Sequence, residues 1–141
     1  MPQSYAEQFE VMRGKYFVPL LRTLQLSRPI DRIEGAYAVS SAAAGNVRVF
    51  FESERGLCGF GVGEVAAHAA MCDLESLAER FPRARIMPEG HQRLGLDEQA
   101  AFIETHWQDL QVLFSPEHIR ETKAWRQAAV ADHIKKLTRD T

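Results

Sequence analysis

Residues 46–65, NVRVFFESERGLCGFGVGEV, decide the fold. On both sides of Glu54-Arg55-Gly56, apolar residues alternate with polar residues or glycine, the period-two signature of two antiparallel strands joined by a tight turn. Gly59, Gly61 and Gly63 recur at every second position, so all three project to one face. Three glycines weaken a strand interior, which implies that something packs closely over them. A two-residue loop at Arg55-Gly56 pairs Phe51 with Phe60, Val49 with Val62 and Phe50 with Gly61. A three-residue loop with a left-handed Gly56 puts Phe51 over Gly59 instead. The apolar pattern favours the first register and the turn chemistry the second, and in either an aromatic covers a glycine.

Upstream, Ser4 and Glu7 make a capping box, S-x-x-E. Tyr5, Phe9, Met12, Tyr16, Leu20 and Leu24 follow as one apolar stripe. Pro19 interrupts it without putting it out of phase, which predicts a helix over about 4–26 with a kink near 14–18. Ile33, Gly35, Tyr37 and Val39 alternate as a first strand, and Ser40–Gly45 reads as a small-residue turn into the hairpin. Residues 66–72 suit either a helix or a short fourth strand. Asp73 is placed to cap a short helix carrying Leu74, Leu77 and Phe81, with a loop from Pro82 to Gly95. A helix from near Asp97 carries Phe102, Ile103, Trp107, Leu110, Leu113 and Phe114. Ser115-Pro116-Glu117 then opens a last helix to about Thr138, with Ile119, Val130, Ile134 and Leu137 on one stripe. The expected fold is a single α+β domain over 1–141: an N-terminal helix, an antiparallel meander of three to four strands, and a C-terminal helical pair packed on the sheet.

The chain has 141 residues, enough for one real core, with 45% hydrophobic and 26% charged residues and a net charge of −2. That balance speaks against general nucleic-acid binding, yet the charge is uneven. Over 66–119 nine carboxylates face four arginines, whereas over 120–141 six basic residues face three acids. Two cysteines, Cys58 and Cys72, fit free thiols in a reducing compartment. The N-terminus lacks the pattern of a secretory signal and no apolar run is long enough for a membrane span, so a cytoplasmic location is expected.

Motifs that would carry chemistry fail on spacing. GFGVG has G-x-G-x-G inside a strand, whereas a dinucleotide fingerprint needs G-x-G-x-x-G between a strand and a helix. The histidines His68, His91, His106, His118 and His133 share no metal-ligand spacing, and no cofactor is expected. His106 falls between Phe102 and Ile103 on the helical wheel. It reads first as a buried, neutral core histidine satisfied by one backbone or carboxylate partner, Asp109 one turn on being a candidate, and second as a general base in a dry pocket. On the same helix Glu104, Gln108 and Gln111 are expected to point outward, with Glu98 and Asp109 at the margins and Glu117 close by. Such carboxylates can steer a basic partner. Trp125 lies off the stripe of its helix and is expected to be covered by another element or exposed as an interface anchor.

The run RLGLDEQAAFIETHWQDLQVLFSPEHIRET resembles small bacterial α+β proteins ending in an L-x-L-x-E-Q-x-x-F helix followed by an F-S-P-E helix. Some of these are similar to immunity or antitoxin proteins, and the resemblance implies a protein that binds and neutralises a partner without catalysis. The first functional expectation is therefore a non-catalytic protein-binding domain, using Glu98, Glu104, Asp109, Glu117 and Trp125, as a monomer or homodimer. The second is a small enzyme or ligand-binding protein with a pocket near His106, and the third a secretion-chaperone-like acidic dimer.

Overall fold

Ser4 caps the first helix: its hydroxyl accepts the Glu7 N–H at 3.1 Å, and α1 runs Tyr5–Met12. The computed structural model describes residues 4–74, 77 and 95–139. Pro19 has no N–H to give the preceding turn, and the chain responds with one π turn, Arg13–Phe17, before α2, Val18–Thr23. Val18 N–H donates to the Arg13 carbonyl across that turn. The expected kink is thus a π turn, which keeps Phe9, Phe17 and Leu20 all buried. The helix stops where Gln25 turns left-handed (φ 53) and the Leu26 N–H reaches back to the Leu21 carbonyl at 2.9 Å, a Schellman closure.

The sheet has five antiparallel strands in sequential order: β1 Ile30–Glu34, β2 Tyr37–Ala44, β3 Val47–Glu54, β4 Leu57–Glu64 and β5 Cys72–Asp73. Two expectations are corrected here. The alternation from Ile33 to Val39 is not one strand, because Gly35 (φ 62) turns the chain and makes β1 and β2 a hairpin. Ser40–Ala44 is not a turn but the second half of β2. Its small side chains suit a strand lying under the N-terminal helix, where Arg13 Nε donates to Ser40 Oγ at 3.0 Å.

Arg55 (φ 52) and Gly56 (φ 84) form the two-residue β3–β4 turn, and Phe51 pairs with Phe60, Val49 with Val62 and Phe50 with Gly61. This is the first of the two registers. Phe51 becomes the centre of the inner face, 5.0 Å from Phe60, 5.8 Å from Phe9 and 5.9 Å from Phe17 between ring centroids. Two C-terminal segments cover the same face, α3 Leu96–Thr105 with Phe102 and Ile103, and α4 Trp107–Leu113 with Leu110. They are joined at His106 (φ −104, ψ 18), a kink where one helix was expected. The last helix, α5, spans Ile119–Arg139. Residues 116–118 form a turn, and Ser115 Oγ donates to the Val112 carbonyl at 2.7 Å instead of capping that helix.

Residues 66–71 are neither a helix nor a full strand. They fold back over the outer face of β4, then enter β5 for two residues. Asp73 ends β5, Leu74 and Leu77 are helical as expected and buried, and the rest of that expected helix, with Phe81, and the loop from Pro82 lie outside the described residues.

This return explains the glycines unequally. A Cβ on Gly61 would sit 2.6 Å from the Ala70 Cβ and 3.3 Å from the Cys72 carbonyl oxygen, and one on Gly63 3.2 Å from Ala67 and Met71. At Gly59 it would meet only Gln99 Oε1, at 3.9 Å. The closest cover is therefore the returning chain, while Phe50 pairs with Gly61 across the ladder as expected. Gly61→Val is expected to lower stability by roughly 1–3 kcal/mol through overpacking, whereas Gly59→Ala stays within about 0.5 kcal/mol. Denaturant midpoints check both, and an unshifted midpoint for Gly61→Val would show that the return does not press on β4.

Candidate functional site

The carboxylates expected to face a partner are displayed on consecutive C-terminal segments. Glu98 and Glu104 are exposed on α3, Asp109 on α4 and Glu117 in the turn before α5. At about 100° per residue, Glu98 and Glu104 stand some 120° apart around α3, so they form a broad flank and not a focused cluster. Asp109 Oδ2 lies 3.6 Å from His106 Nδ1, the partnership read from the sequence. The His106 ring packs 4.6 Å from Phe102 between centroids, but 17% of the side chain remains exposed, so it is not the fully buried histidine expected.

Gln108 is exposed as expected; Gln111 is not an outward residue. Its carboxamide clamps the β2–β3 turn: Oε1 accepts the Asn46 N–H at 2.7 Å, Nε2 donates to the Ala44 carbonyl at 2.9 Å, and Asn46 Nδ2 returns a bond to the Gln111 carbonyl at 3.1 Å. A side chain at Gly45 would collide with that carboxamide.

On α5 the first turns pack as one reading of the sequence had it, with Trp125 covered by the body, and the distal stripe does not. The first turns dock through Ile119, half-buried, Thr122, buried with its hydroxyl donating to the Leu113 carbonyl at 2.6 Å, and Trp125, half-buried against the core. Arg126 Nε donates to the Met71 carbonyl at 3.0 Å and Lys123 Nζ meets Glu64 Oε1 at 3.0 Å. Trp125, about 120° from Ile119 on the wheel, is thus part of the docking face. Val130, Ile134 and Leu137, read as the core stripe, are 41%, 58% and 57% exposed. Their periodicity was visible in the sequence; their exposure was not.

Among the described residues, two grooves line the outer face of the sheet. One, of about 230 Å³, is floored by Val39 and Phe50, with Arg32, Arg48 and His68 also among its lining. The other, of about 400 Å³, lies among Tyr37, Glu52, Cys58, Asp73 and Arg126. His106 lines neither. Glu52, half-buried, holds its proton above the usual carboxyl range because burial penalises its charge, against a hydrogen bond from the Ala70 backbone N–H and the nearby Arg32. Sequence inspection missed Glu52; the signal available was its place two residues from Phe50, on the glycine face of the hairpin. Burial also raises both thiols, Cys72 to about 11, so both are poor nucleophiles at neutral pH. Among the described residues no three His, Cys, Asp or Glu side chains are grouped to hold a metal ion, and no helix is long and apolar enough to cross a membrane. Neither a protein-family model, nor a curated protein, nor a solved structure matches the chain.

Glu52 binds its proton more tightly when folded than when unfolded. Its favourable contribution is therefore fully present below the unfolded carboxyl pKa and is lost as pH rises through the raised folded value. Glu52→Gln keeps an acceptor for the Ala70 N–H and removes the buried charge. Chemical denaturation is expected to show the variant more stable than the native chain at neutral pH, with the difference vanishing in acid. A variant that loses more stability at neutral pH than in acid would show that the charge itself is favourable there.

Proposed function

We propose that this chain is a non-catalytic protein-binding domain whose recognition end is formed by its C-terminal helices. The observation that supports it most is the apolar stripe Val130, Ile134 and Leu137, exposed at the i, i+4, i+7 spacing with which a helix enters a groove of another protein. The exposed Glu98, Glu104, Asp109 and Glu117 lie on the segments leading into α5, and they suit a partner with basic residues around its apolar groove. Trp125, half-buried against the core, holds the first part of α5 to the body. The resemblance of residues 93–122 to immunity-type proteins supports the same reading, in which the bound protein is neutralised by being covered.

Two double variants separate the apolar and the electrostatic contributions, each measured against the protein that co-purifies with the chain from its native host. Ile134→Glu with Leu137→Glu is expected to leave thermal stability within about 0.5 kcal/mol, because exposed substitutions cost little, and to abolish binding. Glu104→Lys with Asp109→Lys is expected to slow association and reduce its salt sensitivity, with a smaller effect on dissociation. Binding as tight and as salt-sensitive as that of the native chain in both variants would remove these helices as the interface.

A further inference from the structure

We propose that the free edge of β1 is a self-association surface whose occupant is a second copy of this chain, joined antiparallel about a two-fold axis at Ile33. The inference rests on the edge strand alone and is independent of the partner-binding role of α5. Among the described residues β1 is the outermost strand, hydrogen-bonded to β2 on one side, and all five of its residues are exposed. Ile30 and Ile33 are 63% and 48% exposed, on a strand whose outer backbone groups offer a template for another strand. The opposite side of the sheet is treated differently. There β4 is covered by β5, and the Phe60 N–H is taken at 2.9 Å by Gln99 Oε1.

The charges of β1 select one register. A two-fold axis normal to the sheet places one residue opposite its own copy, and like charges directly opposite each other destabilise a pair. Centring on Asp31, Arg32 or Glu34 puts identical charges face to face. Centring on Ile30 sets Arg32 against Arg28. Centring on Ile33 stacks the two isoleucines and places each Arg32 opposite Glu34 of the second copy. Arg32 and Glu34 already share one face of β1, with Nε and Oε1 3.6 Å apart. The dimer therefore completes an alternating array of four charges, while the Ile33 pair buries apolar surface on the other face. The ladder is short, so the association is weak and reversible, and it weakens as salt screens the charges.

The test is sedimentation equilibrium over a concentration series of the full chain under reducing conditions, with circular dichroism confirming that every variant is folded. Arg32→Glu alone makes the edge acidic on both sides of Ile33, and Glu34→Arg alone makes it basic. Each is expected to weaken self-association by roughly tenfold or more, since opposed charges become like charges at two symmetric positions. Mixed in equal amounts, the two variants regain opposite charges at every position and are expected to associate at least as tightly as the native chain. A native chain that remains monomeric at its highest soluble concentration overturns the proposal. So does a dimer that withstands both variants, or one lost on Ile134→Glu alone, which would place the contact on α5. Failure of the mixture to recover association overturns the register.

Discussion

Glu54 faces Leu57 across a turn of only two residues, Arg55 and Gly56, both at positive φ, and every side chain of β3 and β4 takes its face from that closure. Adding one residue to the turn would flip β4 relative to β3. With Phe51 held inward by the β2–β3 pairing, Phe60 would leave the helices and the glycine line would turn toward them. In the register adopted, the bulky residues Phe51, Phe60, Val49 and Val62 all face the core, and the glycines face the returning segment 66–71. Both faces of the hairpin are thus specified at once. Aromatic packing accepts one register, and the narrow gap beneath Ala70 rejects the other, because only a residue without a side chain fits there.

Side-chain amides attach the C-terminal half to this sheet. Gln99 occupies the outer N–H of Phe60, and Gln111 supplies both a donor and an acceptor to the β2–β3 turn. Backbone groups at a sheet edge or turn need partners when helices cover them, and a carboxamide can satisfy an N–H and a C=O together. On the N-terminal side Arg13, projected from the π turn, donates to the fully buried Ser40 hydroxyl, which itself donates to Asp31. Helix and sheet are therefore joined by directed polar contacts as well as by the phenylalanine cluster, and the π turn forced by Pro19 is part of how Arg13 reaches its place.

The surfaces left open differ in chemistry. The β1 edge carries a charge pattern complementary to itself, the outer grooves combine apolar floors with half-buried polar groups, and α5 presents an apolar stripe beyond its docked base. Each lies away from the Phe51 core, so changes in what binds there need not disturb the fold. The half-buried Glu52 is the exception, since its charge is held close to the segment that locks β4.

Much of the architecture was legible in the chain alone. Period-two alternation marked the β3–β4 hairpin, the capping box marked the start of α1, and Pro19 marked the break in it, because each depends on residues close in sequence. The readings that failed depended on distant partners. Ser40–Ala44 resembled a turn until a helix packed over it, and the segment that presses on Gly61 and Gly63 was not visible beside the Phe50–Gly61 pair. Gln111 looked solvent-facing because nothing local reveals the turn it clamps. The Val130–Ile134–Leu137 stripe is exposed for the same reason, whereas Trp125 is covered, one of the two outcomes expected for it. A helical wheel says which residues share a face, but only the tertiary arrangement decides which face meets the body and where along the helix that body ends.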